Sequence, residues 1–138
     1  MSIEVYMYFN GNCREAVEFY ADVFGARIQK ILTYGEAPSD PEYPISEEGK
    51  KRVLHTLLEI NGSKVMFSDC QPGMPYITGN NVSITLNYSD KDEMKRAFDK
   101  LKEGGEVQME LGETFFSKYY GFLMDKFGFL WQFMYMEK

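Results

Sequence analysis

The sequence lacks most of the signatures from which a function is read directly. No GxGxxG or GxxxxGK[ST] run occurs, which excludes the two common glycine-rich phosphate cradles. No GxSxG elbow occurs either, and Cys13 and Cys70 fall on an expected helix face and in an expected loop, so no nucleophilic set is assembled. Two unpatterned cysteines are too few for a disulfide framework or a zinc site, and both are read as reduced thiols. No apolar run approaches the roughly 18 residues of a membrane span. The opening MSIEVYMYFNGN has no basic or signal-like stretch. These absences predict a cytoplasmic protein with no membrane partner.

What is plentiful is apolar and aromatic. Aromatic residues make up 16% of the 138 residues and are joined by nine methionines, while charged residues still supply 26%, the profile of a packed core inside a charged surface. The length suits one domain, residues 1–138. A net charge of −6 repels phosphate backbones, and the basic groups Lys50-Lys51-Arg52 and Lys91/Lys95/Arg96 are small and flanked or interrupted by acids. Nucleic acid is therefore not an expected partner.

The order of the chain repeats. Residues 4–10 read as a strand, and Asn12, three residues before Glu15, reads as the cap of a helix over residues 13–24. Cys13, Val17, Tyr20 and Phe24 form its buried stripe, and Gly25 its left-handed stop. About eighty residues later a strand over 82–88 precedes Asp90 and Glu93, then a stripe of Met94, Ala97, Phe98 and Leu101, then Gly104-Gly105. Residues 25–32 and 104–111 also match in order, with Gly, aliphatic, Gln and Leu at the same places. Each half continues with two strands: 52–60 and 64–69, joined at Asn61-Gly62-Ser63, and 119–125 and 129–136, joined at Lys126-Phe127-Gly128. The pattern predicts an α+β fold of two β-α-β-β-β modules, about 1–70 and 80–138, with a functional site in a cleft formed by the sheets. Residues 35–51 and 70–81 hold all five prolines and read as loops, the first an acidic lid or mobile insertion.

Strand alternation sorts side chains by face. Val82, Ile84 and Leu86 are expected under the helices, and Ser83, Thr85 and Asn87 on the other face. In the last strand Gln132 stands opposite to Trp131, Phe133 and Tyr135. Ser83, Thr85, Asn87 and Gln132 thus offer neutral hydrogen-bonding groups to a small, partly polar organic ligand, or else satisfy one another. His55, the one histidine, lies mid-strand as a candidate proton carrier, with Glu59 further along the same face as a candidate to orient it. Asp69, at a strand end, suits backbone N–H groups of the adjacent turn better than catalysis.

At NGNCREAVEFYADVFGARI the chain resembles the first helix of PhnB-like proteins of the vicinal oxygen chelate (glyoxalase/bleomycin-resistance-like) superfamily. The resemblance extends through Gly35-Glu36-Ala37-Pro38, His55, Gly62-Ser63, Ser68-Asp69, Glu113-Thr114-Phe115-Phe116 and Asp125-Lys126-Phe127-Gly128 ahead of Trp131. It implies the glyoxalase/dihydroxybiphenyl dioxygenase-like fold, with eight strands curled around a cleft, commonly in a homodimer. Metal-using relatives supply His and Glu ligands from the first and last strands of each half; the corresponding positions here are Val5, Met66, Ser83 and Gln132. These are non-ligating, soft or weak donors, so no metal or other cofactor is expected. The label of a demethylubiquinone methyltransferase, frequent in this branch, is not inherited, because the chain has no glycine-rich strand-to-helix turn in a parallel sheet. Two readings follow: a binding protein for a small organic molecule, or an isomerase, lyase or dioxygenase that uses His55 as base or a metal held by His55, Glu59 and Asp69.

Overall fold

Tyr alternates with Val, Met and Phe at the start of the chain, and in the computed structural model, which describes residues 1–116 and 118–137, they form β1 (Val5–Phe9). Helix α1 (Cys13–Phe24), β2 (Leu32–Thr33), a short helix α2 (Glu47–Lys51), β3 (Val53–Ile60) and β4 (Ser63–Asp69) follow. The second series is β5 (Ser83–Tyr88), α3 (Lys91–Leu101), β6 (Glu106–Gly112), β7 (Tyr120–Met124) and β8 (Leu130–Tyr135). The chain divides into two compact units, Met1–Tyr76 and a second beginning at Ile77.

Each unit holds one four-stranded mixed sheet, and the two sheets have the same order: β1-β4-β3-β2 and β5-β8-β7-β6. In each, the first and last strands run parallel and the remaining neighbours antiparallel. This is the expected β-α-β-β-β duplication, α+β in class. The parallel pairing is possible because a helix bridges the first strand to the rest.

In the first unit α1 packs on β3 and β4, burying Cys13, Val17 and Tyr20 of the predicted stripe with Ala16, Ala21 and Val23. Tyr20 stacks on Phe67, whose ring in turn faces Phe9. Gly25 takes φ 62°, the left-handed stop. In the second, α3 buries Met94, Ala97, Phe98 and Leu101 against β5 and β8, with Phe98 edge-on to Phe133. The β3–β4 hairpin closes on two residues, Asn61 (φ 50°) and Gly62 (φ 82°), which matches the twist of a tight hairpin.

Four expectations need correction. Residues 35–51 are not all loop: Ser46, whose hydroxyl accepts from the Gly49 N–H, starts α2. The matched segments after the two helices differ in outcome, since β2 has two residues and β6 seven. Val82 lies outside β5 and is 76% exposed; the buried residues of β5 are Leu86 and Tyr88. Asn12 makes no side-chain cap bond, for a reason that lies in the site itself.

Candidate functional site

The face of the second sheet away from α3 carries the polar set. Leu86, Tyr88, Trp131 and Phe133 are buried on the helix side, and the pleat sends Ser83, Thr85, Asn87 and Gln132 the other way. Thr85 and Gln132 are paired across β5 and β8, with Phe122 of β7 beyond Gln132. Gln132 is half-buried and fixed at both ends: its amide nitrogen donates to Ser83 Oγ at 2.7 Å, and its amide oxygen accepts from the Tyr120 hydroxyl. Burial pushes the Tyr120 phenol above its ordinary value, so it keeps its proton and donates. Thr85 and Asn87 are exposed beside this chain of bonds. The structure therefore brings Ser83 and Gln132 together directly, with Thr85 adjacent, and adds Tyr120.

In the first sheet the corresponding face carries aromatic groups. Tyr6 and Tyr8, 38% and 56% exposed, stack at 4.9 Å, and His55 stands edge-on to Tyr6 at 5.9 Å. The Tyr6 phenol is raised above its ordinary value, first by burial and then by the neighbouring Tyr8. Tyr6 aligns with Met66 and Leu57 across β1, β4 and β3. Glu59 is exposed and pairs in register with Lys64 at the hairpin end. It stands four steps along the strand from His55, roughly 13 Å, which is too far to orient the imidazole. The tyrosines were missed from the sequence because Val5, Tyr6, Met7, Tyr8 and Phe9 are all apolar or aromatic, so alternation of polarity cannot sort them.

Asp69 is taken up by backbone N–H groups. Buried at 2% exposure, its Oδ1 accepts the N–H groups of Gly11 at 2.8 Å and Cys13 at 3.1 Å, and its Oδ2 that of Val53 at 2.9 Å. This carboxylate caps α1 across 56 residues of sequence and displaces Asn12 from the task. Asp125 does similar work in the second unit, accepting from Phe127 and Phe129 N–H and from the Trp131 indole at 2.8 Å. Burial and the Asp69 charge push the Cys13 thiol far above its ordinary value, so it is no nucleophile.

A sequence profile of the "Glyoxalase/Bleomycin resistance protein/Dioxygenase superfamily" matches residues 2–133. The chain belongs to that superfamily. Protein YjdN of Escherichia coli (strain K12) is 30% identical over 143 residues, covering 95% of this chain and 92% of that protein. The crystal structure of PA1353 from Pseudomonas aeruginosa superposes with a TM-score of 0.86 at 34% identity, covering 100% and 99% of the two chains. A structure from Bacillus cereus described as a putative 3-demethylubiquinone-9 3-methyltransferase, PhnB protein, gives 0.78 at 27% identity, covering 99% and 100%. Within the superfamily this chain is PhnB-like.

The residues of this superfamily member do not fit the divalent ion that metal-using relatives hold. Among the described residues no three of His, Cys, Asp and Glu gather as a metal-holding group, His55, Glu59 and Asp69 included. The Gln132 amide oxygen is occupied by Tyr120, and Met66 offers a soft thioether. Val5 is not on the relevant face at all: alternation with Tyr6 places it beside Met7 and Phe9, toward α1.

Proposed function

We propose that the protein binds a small, partly polar organic molecule through neutral contacts on the face of the second sheet away from α3, without a metal ion. The bonded chain Ser83–Gln132–Tyr120 carries this reading. Because Ser83 Oγ accepts from Gln132, its own hydrogen points elsewhere; because Tyr120 donates, its lone pairs stay available. One donor and one acceptor are thereby oriented in advance, beside Thr85 and Asn87, which lowers the ordering cost of binding. Phe122, in register with Gln132 on β7, offers apolar contact area of the kind such ligands bury.

The test is a small-molecule screen by thermal shift on the wild type, Ser83→Ala and Gln132→Leu, with titration of Zn, Ni, Mn and Fe(II). Stabilising hits should weaken about tenfold or more in both variants, the loss of a buried hydrogen bond or two. Tight binding of one metal per chain would overturn the reading. A second reading, proton transfer by His55, is favoured by its position edge-on to Tyr6 on the same face. It predicts that His55→Ala loses turnover at unchanged melting temperature.

A further inference from the structure

The acidic segment 35–51 is anchored at both ends and built around a cavity. At its start the Tyr34 hydroxyl donates to the Asp69 carbonyl at 2.8 Å, and the Thr33 N–H and hydroxyl both donate to Glu36 Oε1, at 3.4 and 3.1 Å. At its end Gly49 is buried so tightly that a Cβ there would lie 2.2 Å from Gln71 Oε1 and 2.7 Å from Ile45 Cγ2. The Gln71 amide donates back to the Gly49 carbonyl at 3.2 Å. Gly35 meets α2 in the same way, since a Cβ on it would stand 3.0 Å from the Lys50 carbonyl oxygen. Between these fixed ends run Pro38, Pro41 and Pro44, whose rings restrict φ.

The arch lines a cavity of about 250 Å³. Its lining includes Tyr34, Tyr43, the three prolines and Ile45, with Lys50 as the one cation among the lining residues. The lining acid, Asp40, is already engaged, its Oδ1 accepting the Glu42 N–H at 2.9 Å. Lys50 pairs at 3.1 Å with Glu47, whose side chain is 87% exposed. A surface pair of that kind contributes little and exchanges readily for another anion.

We propose that this cavity, which lies wholly within the first unit and is distinct from the sheet faces, is a ligand site for a small monocarboxylate bearing one planar ring. The ring packs against tyrosine and proline faces, and the carboxylate replaces Glu47 at the Lys50 ammonium. The three prolines restrict the backbone of the arch, which lowers the ordering cost of binding.

Benzoate is the probe, with benzamide as its uncharged counterpart, titrated calorimetrically into the full chain. Benzoate should saturate at one per chain, and benzamide should bind about tenfold more weakly, the cost of one charge-assisted hydrogen bond. Lys50→Met, which keeps the apolar stem, should reproduce that loss. Ala37→Phe should abolish binding by filling the space; Ala37 has φ −77° and ψ 155°, where any L-residue is at ease, and a melting curve checks the fold. Gln132→Leu should leave benzoate binding unchanged, which separates this site from the one proposed on the second sheet. No saturation, equal affinity for benzamide, retention in Lys50→Met or in folded Ala37→Phe, or loss in Gln132→Leu would each overturn the proposal.

Discussion

Thr56 Oγ1 is buried in the first unit and, among the described residues, has no hydrogen-bond partner. A desolvated hydroxyl without a partner costs free energy, so the nearly isosteric Thr56→Val should stabilise the protein by about 1 kcal/mol in urea unfolding. The two thiols should differ sharply. Cys13 is buried with its proton held tightly, whereas Cys70 is half-exposed, so native alkylation should label Cys70 alone and reach Cys13 on unfolding. Tyr120 makes stability sensitive to alkali. Its folded pKa lies above its ordinary 10.0, so the contribution is complete below that pH; as pH rises further, the unfolded chain releases its proton first and stability falls. Tyr120→Phe should start about 1 kcal/mol less stable, having orphaned the Gln132 oxygen, yet lose less above pH 10.0.

The two long helices begin with the same kind of sequence and are capped by different means. Asp90 accepts the N–H groups of Asp92 at 2.9 Å and Glu93 at 3.2 Å, a local cap, as its position before the stripe suggested. Asn12 stands at the matching place in α1, but the carboxylate of Asp69 reaches Gly11 and Cys13 first. Asp90→Ala should therefore cost about 1 kcal/mol. Asn12→Ala should be close to neutral, and Asp69→Ala should cost about 3 kcal/mol, because three backbone N–H groups lose their acceptor at once. Thermal or urea melts of the three variants check this order. An equal cost for Asn12→Ala and Asp69→Ala would refute it.

At the scale of the molecule, duplication sets what each half contributes. Both units have one sheet order, but the face away from the helix is aromatic in the first and neutral-polar in the second. The homodimer that the superfamily resemblance implies predicts twice 16.1 kDa by light scattering. A net charge of −6 predicts no shift of duplex DNA at low salt, where a basic surface would bind most tightly.

Periodicity alone determined the two modules, the buried stripe of α3 and most of that of α1, the hairpins and the side of the sheet on which Gln132 stands. Those features depend on neighbours three, four or two residues apart, so they are written in local order. Tertiary structure decided the rest. Which of two similar polar residues caps α1, whether Gln132 faces Tyr120, and that Tyr6 stacks on Tyr8 beside His55 depend on partners brought close by strand pairing. So does the anchoring of residues 35–51, where Gln71 and Asp69 hold a proline arch that by composition reads as a loose loop. Contacts between residues far apart in the chain leave no period behind, and only the folded backbone makes them.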